Sequence, residues 1–361
     1  SAARPAPRPV AIPRMVPEGV VPLVSVEGTA RDCGRAYGDL VLSRYPGYLR
    51  YLVHTPAWRL QDRRVAALFE RRAPHVADLY RGLADALGAR RPASRPAPRP
   101  ADGCTSFAVA PRLTLDKGPL CGQTKDTAVT GAAQYLVLRL RIRNAPTILV
   151  LAYPGELLGY GMWSTGMCLF RNTLYAAERT RGLLSMEEWG LLALAGGSVA
   201  EALDLARRHG IRGSGNCLLA DARGGSVSVE FDAGGIAGIR PTAGILAHAN
   251  HPVGRRTAPF EDYPDAVEKR NSRYRATRLW KVLNAQRGRL TAPLCLHALS
   301  DHSRYPRGIC RHRIGQRTDM QTTAAVVAEP ARGRLHVVRG TPCANWPVAY
   351  SFQTPEPGST V

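Results

Sequence analysis

The spacing of apolar positions changes from a helical period to a strand-like period at about residue 104. In the first part, an apolar strand over 20–26 is followed by three helices, predicted over 31–53, 58–69 and 74–87. In the second part, short apolar strands separated by turn residues are predicted over 104–110, 120–123, 135–142, 147–153 and 167–172. The chain is therefore not a uniform repeat of one kind of element.

The remainder of the chain alternates helices and strands in blocks. Two helices each begin with a Ser-x-x-Glu capping box, Ser185/Glu188 and Ser198/Glu201. The other predicted elements are strands over 217–220, 227–231 and 245–249, helices over 272–285 and 292–299, and strands over 324–327 and 335–338. Such blocks predict an α+β fold in which helices cover the outer faces of antiparallel sheets.

An Arg/Pro-rich linker over 89–101 separates the two parts, because its prolines exclude both a helix and a central strand. It ends just before Gly103 and Cys104. Cleavage between these two residues would give Cys104 a free α-amine, which titrates near pH ~8 and can accept the thiol proton. The alternative for Cys104 is a buried structural thiol at the start of a strand.

The net charge and the composition limit the classes of partner that this chain is expected to bind. The net charge is +21, but the arginines are scattered and no zinc-finger or RNA-binding signature is present, so no nucleic-acid partner is expected. An anionic small substrate, such as an acyl thioester of a phosphorylated carrier, would suit this charge. No apolar run reaches the roughly 18 residues of a membrane span, so no membrane association is expected. The eight cysteines include no Cys-x-x-Cys pair, which favours reduced thiols and a cytoplasmic location.

Three segments are more polar than their surroundings: 122–126 and 248–251, which each end an apolar strand, and 301–312, which lies in a loop with glycine and proline. A cysteine acyl-transfer site needs a thiolate, a base, an N–H donor for the oxyanion and a fixed charge that orients them. The segments also hold four histidines that raise the question of zinc, namely His248, His251, His302 and His312. No carboxylate or cysteine was identified at the spacing of a tetrahedral site, so no metal ion is expected.

The ordered motifs Asp-Gly-Cys-Thr-Ser, Gly-Gln-x-x-Asp, His-x-Asn-His and Asp-His…Ile-Cys-Arg resemble the acyl-coenzyme A:6-aminopenicillanic acid acyltransferase family. These are N-terminal-nucleophile hydrolases of the isopenicillin N acyltransferase-like type, peptidase C45. The resemblance runs from about Val20 to Cys343 and implies an αββα four-layer sandwich with an N-terminal helical segment. It also implies self-cleavage between Gly103 and Cys104 into an α subunit, 1–103, and a β subunit, 104–361, which form a heterodimer.

The resemblance also implies site residues. Cys104 would be the nucleophile, its freed α-amine the base, and Asn250 the donor of a side-chain N–H to the oxyanion. Asp126 and Arg311 would form a charged pair that fixes the amine and the thiolate. The alternatives are an ordinary structural ion pair and, for Asn250, a turn cap. Substrate-pocket candidates are Thr105, Thr124, Lys125, Trp163 and His302, since members of the family often have Asn-Trp in place of Thr124-Lys125 and Asn in place of Trp163.

The expected function is an enzyme of secondary metabolism that forms an acyl thioester on Cys104 and passes the acyl group to an amine. No cofactor is expected, although acyl-CoA or a carrier-bound acyl group is a candidate donor and a small amine the acceptor. Release of the acyl group to water would make the same thioester part of an amidohydrolase. A different class of function, a basic non-catalytic binding protein on the same fold, would show neither cleavage nor thiol reactivity.

Overall fold

A computed structural model describes residues 19–45, 62–88, 103–128, 134–313 and 320–353, and the structural statements below concern these residues. The first part consists of strand β1 (Leu23–Gly28) and helices α1 (Ala30–Arg44), α2 (Arg63–Arg72) and α3 (Pro74–Leu87). The linker predicted over 89–101, and parts of the first two predicted helices, lie outside the described residues.

Two sheets follow from the pairing of the strands. The larger has eight strands in the order β1-β4-β5-β6-β7-β8-β9-β10, and the smaller has six in the order β11-β2-β3-β12-β13-β14. Only the β1–β4 pair among the described strands is parallel. The larger sheet contains β4 (Leu136–Ile142), β5 (Ile148–Ala152), β6 (Tyr160–Trp163), β7 (Met167–Asn172), β8 (Gly215–Asp221), β9 (Ser226–Asp232) and β10 (Gly235–Ile239). The smaller contains β2 (Gly103–Val109), β3 (Leu120–Ala128), β11 (Ile245–His248), β12 (Met320–Glu329), β13 (Arg334–Arg339) and β14 (Pro347–Ser351).

Four more helices belong to the second part: α4 (Met186–Ala195), α5 (Val199–His209), α6 (Ala266–Ala285) and α7 (Ala292–Leu299). Ser185 and Glu188 form the complete capping box predicted for α4. At α5, Ser198 accepts the predicted bond from the Glu201 backbone, but the Glu201 carboxylate bonds the Gly197 N–H instead. Helix α6 starts six residues before its predicted start, because the Asp265 side chain caps the N–H groups of Val267 and Glu268.

Three clusters of buried apolar side chains define four layers. One cluster lies between helices α1–α5 and the larger sheet. The second combines side chains of both sheets and therefore lies between them. The third joins the smaller sheet to α6 and α7. The order is helix, sheet, sheet, helix, which confirms the predicted αββα sandwich.

The segment before Cys104 is part of these layers. Its strand β1 pairs in parallel with β4 at the edge of the larger sheet. Helices α1 and α3 cross at close range, because a Cβ at Gly34 would lie 2.1 Å from the Leu79 carbonyl oxygen, and one at Gly82 would lie 2.1 Å from that of Arg31. Glycine permits this approach. Residues on both sides of the predicted cleavage point thus share one core.

The sequence missed three strands and predicted two others, β3 and β12, several residues too short. Strands β6 and β10 contain glycines, and β14 begins with Pro347 at a sheet edge, so none carries a clear apolar alternation. Strand β3 continues beyond its predicted end at Gln123 to Ala128, because β2 and β12 pair with its polar half. Polar side chains are consequently placed inside the fold on a central strand.

Candidate active site

Cys104 lies at the start of β2, opposite Lys125 of β3, and its side chain is fully buried. Two residues further along β2, the Ser106 hydroxyl accepts a 2.9 Å bond from Asn172 of β7 in the other sheet. Thr105 points the other way, towards α6, where it contacts Arg275. Because side chains alternate along a strand, Cys104 faces the space between the sheets, as Ser106 does.

Asn250 contacts the backbone of Cys104. It lies in the turn after β11, and since β11 runs antiparallel beside β2, this turn is adjacent to the start of β2. The Cys104 N–H donates to Asn250 Oδ1 at 3.2 Å, and Asn250 Nδ2 donates to the Thr173 carbonyl at 2.9 Å. The carboxamide therefore presents its oxygen to the Cys104 nitrogen. The predicted oxyanion role would use the second hydrogen of Nδ2.

Arg275 is a buried site residue that the sequence analysis missed. It is 1% exposed, and its guanidinium donates to the Cys104 carbonyl at 2.6 Å, to Thr105 Oγ1 at 2.5 Å and to Asn250 Oδ1 at 2.7 Å. Two donors, Arg275 and the Cys104 N–H, thus meet the same Asn250 oxygen, which fixes the orientation of the amide. The guanidinium holds Cys104 and Asn250 in one geometry and places a positive charge beside them.

A carboxylate and two histidines anchor the turn that carries Asn250. His248 Nε2 lies 2.7 Å from Glu230 Oε1, and the same carboxylate accepts the N–H groups of Val253 and Gly254 at 2.8 and 2.9 Å. Although burial opposes it, the hydrogen bond from His248 keeps the pKa of Glu230 below its usual value. Burial and the neighbouring His248 lower the pKa of His251 to about 3, so that ring is neutral at physiological pH.

Ser272 of α6 completes this anchor. Its hydroxyl lies 2.9 Å from His251 Nδ1 and accepts the Asn250 N–H at 2.9 Å. His248 and His251 therefore have hydrogen-bonding partners that position Asn250, and they lie apart from the group that contains His302 and His312. Both belong to the support of the site.

Asp126 and Arg311 lie near the start of β2 but do not form the predicted direct pair among the described residues. Arg311 makes a bidentate contact with Glu268 of α6 at 3.0 and 2.9 Å. Thr322 links the two residues, since its hydroxyl donates to Asp126 Oδ1 at 2.7 Å and accepts the Arg311 backbone N–H at 2.8 Å. The Asp126 carboxylate is thus bound by Thr322, and the Arg311 guanidinium by Glu268.

The second carboxylate oxygen of Asp126 is directed at the residue before Cys104. Oδ2 is buried without a hydrogen-bond partner, and a Cβ built on Gly103 would lie 2.9 Å from it. Burial raises the pKa of Asp126, although the charges of Arg275 and Arg311 oppose the rise. A buried acceptor without a donor therefore lies beside Gly103. It would be able to accept a hydrogen bond from a group that cleavage after Gly103 creates.

The substrate-pocket candidates do not share one environment. Thr105 contacts Arg275, and Thr124 is buried with an unpartnered hydroxyl. Lys125 extends between the sheets, where its ammonium lies 5.5 Å from the centre of the Tyr160 ring. Trp163 packs with the helices on the other face of the larger sheet, so it does not face Cys104. His302 contacts His312 at 2.9 Å in the loop that contains Arg311.

The four layers define an αββα protein. Its candidate thiol site is Cys104, buried at the start of β2 and held by a carboxamide and a guanidinium. A family model described as acyl-coenzyme A:6-aminopenicillanic acid acyl-transferase matches residues 115–343. The chain belongs to this family. The match begins after Cys104 and includes Asp126, Asn250, Arg275 and Arg311.

Solved structures give weaker similarities, and no curated protein sequence matches the chain. The mutant C2A of the conjugated bile acid hydrolase from Clostridium perfringens is 12% identical with a TM-score of 0.44, covering 69% of this chain and 97% of that one. Penicillin V acylase from Agrobacterium tumefaciens is 14% identical with a TM-score of 0.38, covering 68% and 84%. In the part of the chain that the structure describes, no helix is long and apolar enough to cross a membrane.

Proposed function

We propose that the chain is a self-processing cysteine enzyme that forms an acyl thioester on Cys104 and passes the acyl group to an amine. The observation that carries the proposal is the restraint on Cys104, whose N–H and C=O are held by Asn250 and Arg275 while its side chain is buried between the sheets. A purely structural thiol needs only apolar packing and no such polar support. The family membership supports the same chemistry.

Activation would be cleavage of the Gly103–Cys104 bond. The Cys104 sulfur attacks the Gly103 carbonyl carbon, the C–N bond breaks, and the Cys104 nitrogen takes up a proton as the chain becomes a thioester. Water then attacks this thioester, which releases a Gly103 carboxylate and restores the thiol. Cys104 is fully buried in the intact chain, so the substrate would reach it only after cleavage has freed the new ends of the chain.

After cleavage, the α-amine and the thiol belong to the same residue. The amine accepts the thiol proton, the thiolate attacks the donor carbonyl and the donor's leaving group departs with the proton. Asn250 Oδ1, which accepts the backbone N–H in the intact chain, would orient the new amine, and the second hydrogen of Nδ2 would serve the oxyanion. An amine, or water in the hydrolytic alternative, then attacks the thioester and regenerates Cys104.

Polar side chains between the sheets would recognise the substrate. Gln123 lies opposite Ser106, and both atoms of its buried amide lack hydrogen-bond partners. Across the gap, Tyr160 has the Lys125 ammonium 5.5 Å and the Arg171 guanidinium 4.6 Å from its ring centre. Arg171 is paired with Glu156 at 3.3 Å. The unsatisfied Gln123 amide, with the Lys125 ammonium two residues along the same strand, suits a substrate with an amide or carboxylate beside its acyl group, and an acyl-CoA or carrier-bound donor agrees with the family description.

The two fragments would remain together after cleavage, because β1 pairs with β4 and the helices of the first part pack in the shared core. We propose residues 1–103 and 104–361 as the α and β subunits of this heterodimer.

The test is intact-mass analysis of freshly purified protein, followed by incubation with acyl donors. Two fragments divided at Gly103–Cys104 and an acyl adduct on Cys104 are expected. Acyl release is then measured with and without small amines, because acceleration by amines supports transfer and equal rates support hydrolysis. A single uncut chain that acquires no adduct would contradict the proposal.

Replacement of Asn250 by alanine should reduce turnover by about a hundredfold, the effect of losing one donor to an oxyanion. The variant also removes the acceptor that orients the amine of Cys104. The measurement is kcat of processed protein. Asn216→Ala is the matched control, because Asn216 is an equally buried asparagine that bonds Ser228 on the neighbouring strand of the larger sheet. Near-normal kcat in Asn250→Ala would assign the oxyanion to another group.

Replacement of Gly103 by alanine should slow self-cleavage by about tenfold to a hundredfold, the range expected when reacting atoms are displaced. The added Cβ would lie 2.9 Å from Asp126 Oδ2 and 3.1 Å from Asp126 Cβ, so the chain must shift at the bond that reacts. The rate is followed by mass spectrometry from the time of synthesis. Gly197→Ala, whose Cβ would meet nothing within 4 Å, serves as the control. Equal cleavage rates would show that this contact does not set the geometry.

A further inference from the structure

Two histidines and two cysteines converge on one point outside the Cys104 site. His302, Cys310 and His312 come from the loop between α7 and β12, and Cys343 comes from the turn between β13 and β14. The potential ligand atoms of all four lie within 4.8 Å of one another. From the sequence, the four histidines taken together were expected to bind no metal ion. Here His302 and His312 meet two cysteines instead of the other two histidines, and Cys343 is separated from His312 by 30 residues.

The distances around His312 match the edges of a metal tetrahedron. Its Nε2 lies 2.9 Å from His302 Nε2, 3.5 Å from Cys310 Sγ and 3.5 Å from Cys343 Sγ. Tetrahedral Zn²⁺ with Zn–N of about 2.0 Å and Zn–S of about 2.3 Å requires ligand atoms roughly 3.3–3.8 Å apart. The two sulfur contacts fall in this range, and the two imidazole nitrogens need to separate by only a few tenths of an ångström.

Hydrogen bonds within the loop and to a neighbouring helix hold these ligands close together. The Cys310 N–H donates to the Asp301 carbonyl at 3.2 Å, and the His312 N–H donates to the Pro306 carbonyl at 2.8 Å. The Asp301 carboxylate also binds Arg278 of α6 at 3.0 and 2.7 Å. The loop is therefore folded back on itself and fixed to a helix, with its ligands on the side that meets Cys343.

We propose that His302, Cys310, His312 and Cys343 form a Cys₂His₂ site for a structural Zn²⁺ ion. Two thiolates and two neutral imidazoles would complete a neutral, four-coordinate site without an open position, which is typical of structural rather than catalytic zinc. Thiolates and imidazoles together also disfavour Mg²⁺ and Ca²⁺, which prefer oxygen ligands. On binding, the two thiols would release their protons to solvent.

The ion would connect the loop 301–312 to the turn after β13. Arg311 lies between two of the ligands and makes the bidentate contact with Glu268 of α6. The metal would thus fix the segment that carries Arg311 without itself touching the reacting atoms. This inference is independent of the reaction at Cys104, because the four ligands contact one another while the Cys104 backbone is held by Asn250 and Arg275.

The first experiment measures metal content in the full-length chain, expressed without a histidine tag and purified under reducing conditions. About one zinc per chain is expected after dialysis, and a double variant with His302→Ala and Cys343→Ser should retain none. His297→Ala is the matched control, because His297 is an exposed histidine of the preceding helix, and it should keep the metal. Zinc content equal in the wild type and the double variant would overturn the proposal.

The second experiment does not depend on how well the variants fold. Chelator-treated wild type is titrated with Co²⁺ alone, and the visible bands of tetrahedral Co²⁺ with thiolate charge transfer are expected at one equivalent. Zn²⁺ should displace these bands and raise the melting temperature. A spectrum of octahedral Co²⁺, no rise in melting temperature, or a Cys310–Cys343 disulfide in the freshly purified protein would each overturn the assignment.

Discussion

Replacement of Cys104 by alanine is expected to leave a single uncut chain that transfers no acyl group. The sulfur is the only atom in the proposed scheme that attacks both the Gly103 carbonyl and the acyl donor, so both steps disappear together. The side chain is fully buried, and its replacement by a smaller one removes little else. Intact-mass analysis reports the cleavage, and incubation with an acyl donor reports the loss of the adduct.

Cys121→Ala is the control for this experiment. Cys121 is a fully buried thiol on the adjacent strand β3 and also faces the space between the sheets. It should leave cleavage and adduct formation unchanged, with at most a modest loss of stability. If Cys104→Ala were cut normally, cleavage would have to be assigned to another nucleophile or a protease. If it were uncut but still active, the role of Cys104 in turnover would be wrong.

The layers of the fold could be predicted from the sequence because most helices and strands have apolar residues at a regular spacing. The helix stripes of α1 and α3 and the short apolar runs of β4, β5 and β7 are examples. Strand β3 shows where the pattern fails. Its residues 123–126 are polar, so the strand was predicted to end there, whereas pairing on both sides carries it to Ala128. Polar site residues on a central strand interrupt the apolar pattern from which that strand would be predicted.

Part of the candidate site could be predicted from the order of short motifs in the sequence. Gly103, Cys104, Asp126 and Asn250 follow short motifs whose order is informative even when each motif is weak. The structure brings all four to the start of β2, whereas Arg311 contacts Glu268 and not Asp126. The order of the motifs indicates which residues come together. The partner of a charged group depends on which side chains lie within contact distance in the fold, and the motif order does not give this.

Arg275 was missed because it is one of many scattered arginines, yet a signal for it exists in the sequence. Leu279 and Leu283 are buried on α6, and extending this stripe towards the N-terminus at steps of three and four residues reaches Arg275, Ser272 and Glu268. Polar residues in the line of an apolar stripe are expected to be buried, and buried polar residues need partners. The four zinc-ligand candidates had no comparable signal, since Cys343 lies on a distant turn.

Replacement of Arg275 by lysine is expected to reduce both cleavage and turnover by about a hundredfold, the effect of displacing reacting groups by about 1 Å, while the protein remains folded. Lysine keeps the charge but loses the planar fork that contacts the Cys104 carbonyl, Thr105 and Asn250 at once. Methionine is less informative, because it would remove the donor to the Cys104 carbonyl and the Thr105 hydroxyl, two buried acceptors that cost about 1–3 kcal/mol each when unsatisfied. Its inactivity would not separate a folding defect from a chemical one.

The pH dependence of Cys104 alkylation in processed protein distinguishes positioning from simple structural support. A cation near a thiol favours the thiolate, so a less closely held charge in Arg275→Lys should move the alkylation profile to higher pH. Arg273→Lys is the matched control, because Arg273 lies on the same helix but is exposed and pairs with Glu261. A merely structural Arg275 would lower the melting temperature of its variant and leave the alkylation profile and the kcat of the folded fraction unchanged. That outcome would remove Arg275 from the site, and the charge beside Cys104 would then have to come from Lys125 or Arg311.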